Sequence, residues 1–200
     1  MRQVWDAWGH VLIVWACAVP ALVAAIVSMT RWRTRRGLTP ELALRYTAAE
    51  VGLVAGTLPW VWMILTPVAG EGAVSLVPLR DLVATLSDSP SSAVVQIGAN
   101  TLLFVPLGFF LPLRLPWFTG VARMTSLGAA VSATLEIAQY VFDLGRVSSV
   151  DDVLMNAAGA GLGALLARIH VARREAGRSR SARVLAQLGW AGLLDAARSR

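Results

Sequence analysis

The sequence predicts an all-α protein, a polytopic membrane bundle of about five transmembrane helices with its N-terminus outside and its C-terminus inside. Three observations predict it. Of the 200 residues, 56% are hydrophobic and only 15% charged, and the mean hydropathy is +0.61, outside the balance of a water-soluble domain. Apolar runs near the ~20 residues that cross a bilayer recur along the chain. The basic side chains are all arginine, with no lysine anywhere, and most fall between those runs or in the tail.

The first run, Val11 to Met29, contains Pro20, which should kink a membrane helix rather than end it. Arg2 is offset by Asp6 before the run, whereas Arg31, Arg33, Arg35 and Arg36 follow it. A cleaved secretory signal carries the opposite arrangement, so a retained helix is expected, with Trp5 and Trp8 as interfacial anchors. The second run, about Ala48 to Val68, holds Glu50, for which Arg45 is the expected partner. Ala69 to Ser92 is rich in Gly, Ser and Pro and reads as a loop, with room for a short helix in the interface. The third run, Val94 to Leu113, sets Gln96 and Asn100 one turn apart on one face. The fourth, about Val121 to Phe142, carries Ser132, Glu136 and Gln139 at helical spacing. The fifth, about Val150 to Val171, opens on Asp151 and Asp152 and continues through Asn156 to Gly159 and Gly163, a small-xxx-small step that lets a neighbouring backbone approach. The tail from Ala172 is arginine-rich and then apolar at Val184, Leu185, Leu188, Trp190, Leu193 and Leu194, a pattern for either a helix on the membrane surface or a disordered basic segment. The organisation is thus residues 1–70 with two helices and an arginine-rich cytoplasmic loop, 71–171 with an external loop and three helices, and the basic tail 172–200.

Orientation follows from the arginines. Arg31, Arg33, Arg35, Arg36 and Arg45 separate runs one and two, Arg114 and Arg123 separate three and four, and a dense set follows run five. An odd number of crossings puts all three regions on one side, the cytoplasmic one by the positive-inside rule. The net charge of +6 therefore faces anionic lipid rather than nucleic acid, since no compact basic domain remains outside the spans. Cys17 is the only cysteine, and His10 and His170 are far apart, so no zinc site, other metal or cofactor is expected.

On this topology Arg80, Asn100, Glu136, Gln139, Arg146, Asp151, Asp152 and Asn156 lie at one depth, near the external surface. A polar stripe facing lipid is costly, about 3 kcal/mol for a charged residue at the bilayer centre on insertion scales. These side chains are therefore expected to face inward and line a pocket. Arg80 and Arg146, each balanced by nearby acids, are suited to clamping a phosphate or carboxylate. Glu136 is a candidate proton acceptor, and Asp151 or Asp152 can cap the fifth helix. The plainer reading is that the same groups only lock helices together.

The ordered set Asn100-Thr-Leu-Leu-Phe104-Val-Pro106-Leu-Gly108-Phe109, Glu136-x-x-Gln139, Gly145-Arg146 and Asp151-Asp152-Val-Leu-Met-Asn156, with Gly159 and Gly163, resembles the VanZ-like membrane proteins. The resemblance runs over roughly Ser75 to Leu166, making residues 71–171 a VanZ-like core, although Ser75 stands where that family commonly has Asn. It implies a multi-pass protein of the cell membrane and a link to the cell envelope and to teicoplanin, a glycopeptide antibiotic. It assigns no catalytic residue. The leading expectation is an outward-facing pocket that binds an anionic membrane lipid or a lipid-linked cell-wall precursor, in a chain able to form a homodimer. The rival is an intramembrane enzyme acting on a lipid phosphate or acyl group through Glu136 and Asp152, although no nucleophile with an activating base is evident. A transporter is a third class, disfavoured by the lack of an inverted repeat.

Overall fold

The computed structural model describes the backbone of residues 2–198 and the side chains of residues 9, 13–184 and 186–187. Its helices are α1 (Arg2–Arg35), α2 (Pro40–Leu65), α3 (Arg80–Asp88), α4 (Pro90–Arg114), α5 (Val121–Val141) and α6 (Val150–Arg198). Two short strands, β1 (Ala73–Ser75) and β2 (Val147–Ser149), and a 3-10 turn at Pro116–Thr119 complete the chain. Among the described residues, Ile13–Arg35, Pro40–Leu65, Pro90–Arg114 and Val150–Val184 are long and apolar enough to cross a membrane. The 21-residue α5 is long enough but less apolar, because Ser126, Ser132, Thr134, Glu136 and Gln139 interrupt it. It still returns the chain across the thickness that α4 covers. The 3-10 turn joins the two helices at one end, and at the other β2 pairs in parallel with β1, which leads through α3 into the start of α4.

The centre of the bundle is the face of α6 that meets α4 and α5. A Cβ at Gly159 would stand 2.0 Å from the Thr101 carbonyl oxygen, and one at Gly163 2.4 Å from that of Val105. On α4, a Cβ at Gly108 would lie 2.0 Å from the Ala160 oxygen. The two backbones therefore touch, as the small-residue spacing of α6 predicts, and Gly108 supplies the matching hollow. Phe104, Met124, Ala160 and Ala164 form the buried core beside this contact. Large apolar side chains such as Val14, Val54, Trp62, Leu102 and Ile137 are exposed on the outer surface, where a bilayer would be their solvent.

Glu50 does not pair with Arg45. Its carboxylate receives Arg33 Nη2 of α1 at 2.5 Å and Arg114 Nε of α4 at 2.5 Å, while Arg33 Nη1 also donates to the Thr47 hydroxyl at 3.1 Å. Positions five apart on a helix are rotated by about 140°, so Arg45 points away from Glu50 and the two neighbouring helices supply the cations. The basic tail is not a separate element: its backbone continues α6 without a break to Arg198. The side chains of Leu185, Leu188, Trp190, Leu193 and Leu194, like those of Trp5 and Trp8, lie outside the described residues.

Candidate functional site

The first turn of α6 organises the polar residues. Ser149 is its N-cap, its hydroxyl accepting the Asp151 N–H at 3.2 Å, the bond expected of a serine at a helix start. The same hydroxyl donates to Asp81 Oδ2 of α3 at 2.6 Å. The Ser149 N–H goes to Glu136 Oε2 of α5 at 3.0 Å, and the Ser148 hydroxyl donates to the Glu136 carbonyl at 2.9 Å. One N-cap thus ties α3, α5 and α6 together.

Asp151 is 2% exposed, and its carboxylate accepts the N–H groups of Leu79 and Leu82. It therefore caps α3, across the loop, rather than α6. The chain enters α3 through Leu79 at φ 64, a left-handed conformation that a non-glycine residue adopts at a cost, and Asp151 holds it there. Freed from capping its own helix, Asp152 accepts the Asn100 amide of α4, and Gln96, one turn earlier, faces the same carboxylate. Glu136 lies within Coulomb range of both Asp152 and Arg146.

Arg146 does not form the expected pair with an acid. Its Nη2 donates to the Met63 carbonyl at 3.0 Å and its Nε to that of Thr66 at 3.5 Å. Gln139 Nε2 donates to the Ile64 carbonyl at 3.0 Å. These side chains add donors to the carbonyls at the C-terminal end of α2, where Thr66 also donates its N–H to Met63 and its hydroxyl to Trp62. Arg80, at the first position of α3, is exposed. Among the described residues, the ion pairs are Arg33–Glu50, Arg114–Glu50 and Arg178–Glu41, none involving Arg80. The acids near Arg80 and Arg146 are held instead by serines, amides and helix N-termini. One turn deeper, Asn156 Nδ2 donates to the buried Ser132 hydroxyl at 2.8 Å, and Asn156 Oδ1 is buried without a partner.

The structure thus brings Asn100, Glu136, Asp151, Asp152 and Arg146 to one end of the bundle, with Gln139 beside them, Asn156 beneath and Arg80 at the rim. Sequence reasoning missed Ser148 and Ser149, and Asp81 entered it only among the unnamed acids that balance Arg80. A signal for Ser149 was present: Ser149-Val-Asp-Asp152 has the spacing of a capping box, although here Glu136 takes the amide that the boxed acid usually takes. The Ser149 hydrogen bond, with the adjoining Arg80 charge, holds the Asp81 carboxyl below its ordinary range. No group of three or more His, Cys, Asp or Glu among the described residues is arranged to hold a metal ion.

Two apolar surfaces adjoin the cluster. Leu76, Val77, Leu79, Val83 and Leu86 are exposed on α3 and the turn before it. Beneath the cluster, a cavity of about 250 Å³ between α2, α4 and α5 is lined by Trp60, Ile64, Leu103, Leu107, Val131 and Leu135, among others. Ile64 and Leu135 connect the two regions: the carbonyl of the first receives Gln139, and the second precedes Glu136.

The family model described as VanZ/LLP1 matches residues 53–171, a range that holds every residue of the cluster. No curated protein and no solved structure matches the chain.

Proposed function

The chain belongs to the VanZ/LLP1 family, and from that premise we propose that it is a multi-pass protein of the cell membrane that engages a phosphate-bearing lipid at its external face. The observation that carries this reading is the position of the hydrogen-bonding cluster directly above the apolar cavity of α2, α4 and α5, an arrangement matched to an amphiphile. Arg80 is the basic group beside the cluster that internal bonds do not occupy, and it supplies the phosphate contact. Asp81, Glu136, Asp151 and Asp152 outnumber Arg80 and Arg146, so the favoured headgroup carries hydroxyl or amine donors besides its phosphate. A lipid-linked cell-wall precursor has that chemistry. Changed presentation of such a lipid would alter sensitivity to teicoplanin.

Binding of fluorescent lipids to the protein in nanodiscs tests the reading. The unaltered protein should retain a polyprenyl-phosphate-linked sugar over phosphatidylcholine, and Arg80→Ala should lose that preference. Equal retention by Arg80→Ala of every phosphate-bearing lipid tried would count against it.

A second reading has its own support, namely the carboxylates of Glu136 and Asp152, which lie within Coulomb range of each other on adjacent helices. Acid–base chemistry on the bound lipid would use that pair. Turnover of a labelled lipid that disappears in Glu136→Gln while binding persists would favour this reading over binding alone.

A further inference from the structure

At the end of the bundle opposite the polar cluster, α2, α4 and α6 border an open-sided cavity of about 860 Å³. Phe109, Phe110 and Leu113 line its apolar part, and its polar part carries Arg45, Arg174 and Arg178 against Glu41 and Glu175, three cations to two acids. Arg178 of α6 pairs with Glu41 of α2 across one side. We propose that this cavity holds one anionic phospholipid, its phosphate between Arg45 and Arg174 and an acyl chain along Phe109 and Phe110.

The chemistry is graded along the cavity. Neither Arg45 nor Arg174 forms an ion pair among the described residues, so two guanidinium groups stand in its polar part without a fixed acid. Planar guanidinium groups match phosphate oxygens bidentately. The Phe109 ring packs edge-on against Phe110 at 5.1 Å and against His170 at 5.8 Å between centroids, and with Leu42, Leu44, Leu113 and Val171 the two phenyl rings make a mainly apolar wall suited to an acyl chain. Cations over an apolar slot fit a lipid, and they lie at the arginine-rich end of the spans, where anionic headgroups would collect under the positive-inside rule. This site is separate from the cluster around Ser149 and does not depend on the reading given to that cluster.

The test uses the full chain purified from membranes and exchanged into nanodiscs of phosphatidylcholine with a minor fraction of phosphatidylglycerol. Lipid retained after detergent release is read by native mass spectrometry. The unaltered protein should retain phosphatidylglycerol over phosphatidylcholine, the double variant Arg45→Ala/Arg174→Ala should reduce that enrichment about 30-fold, and Arg35→Ala, at an exposed arginine outside the cavity lining, should leave it unchanged. Ala48→Trp, which fills the cavity while keeping both arginines in the sequence, should lower retention of both lipids and serves if the double variant does not fold. Enrichment that survives both the arginine and the tryptophan variants would overturn the proposal. So would displacement of the retained lipid by inorganic phosphate at millimolar concentration, because the site would then recognise the anion alone.

Discussion

Asp151 shows how a residue can be identifiable in sequence while its partner is not. An acid in the first turn of a helix is expected to stabilise that helix, yet Ser149 already fills the N-cap, and the carboxylate turns to Leu79 and Leu82 instead. Asp151→Ala should therefore loosen α3 rather than α6. The loss of a capping side chain costs about 1–2 kcal/mol, so hydrogen exchange of the Leu79 and Leu82 amides should accelerate roughly 5- to 30-fold while the first turn of α6 changes little. Asp81 adds a pH dependence of definite sign. Its carboxyl is held below the ordinary range, so its contact with Ser149 stabilises the folded form at neutral pH, and that contribution is lost as the pH falls below about 4. Protection of α3 amides should fall in acid, and Asp81→Asn should reduce that dependence. Sequence spacing made Asn100, Glu136, Asp152 and Asn156 legible as inward-facing groups. It could not pair Asn100 with Asp152 or Ser132 with Asn156, because each bond crosses between helices whose relative rotation no local pattern encodes.

At the scale of elements, hydropathy located the helices because each must bury its backbone polar groups within itself in a bilayer. The three-residue strands were illegible: three residues carry no measurable alternation, and β1 meets β2 only after α3, α4 and α5 have formed the circuit between them. The end of α2 was illegible too, since its carbonyls receive Gln139 and Arg146 from far along the chain. Arg146→Ala should remove the closer of the two donors on the Met63 carbonyl, leaving only the Thr66 N–H at 3.4 Å, at a cost of about 1.5–3 kcal/mol for a hydrogen bond from a charged group. Thermal unfolding in detergent should show a lowered midpoint, with Arg146→Lys intermediate because the ammonium keeps the charge but not the fork. Gly159→Val tests the α4–α6 contact. Its Cβ would collide with the Thr101 carbonyl oxygen, so the helices must separate, and the midpoint should fall further than with Arg146→Ala. A smaller effect would mean that α6 shifts along α4 at little cost.

For the whole molecule, the arginine pattern predicts which side each loop occupies, a prediction that requires α5 to act as a crossing beside the four helices that are long and apolar enough. Thiol labelling checks this directly. In a Cys17→Ser background, Glu71→Cys in the β1 loop should react with a membrane-impermeant reagent on intact cells, and Arg36→Cys after α1 should react only once the membrane is opened. The reverse result would turn the molecule over and place the Ser149 cluster in the cytoplasm. The 49-residue α6 has a further consequence. At 1.5 Å per residue its contour is about 73 Å, more than twice the ~30 Å depth of a hydrocarbon layer. The shaft that anchors Asp151 and Asp152 at one end therefore reaches well clear of the opposite side, and a force applied to its far portion has an unbroken helical lever leading back to those carboxylates.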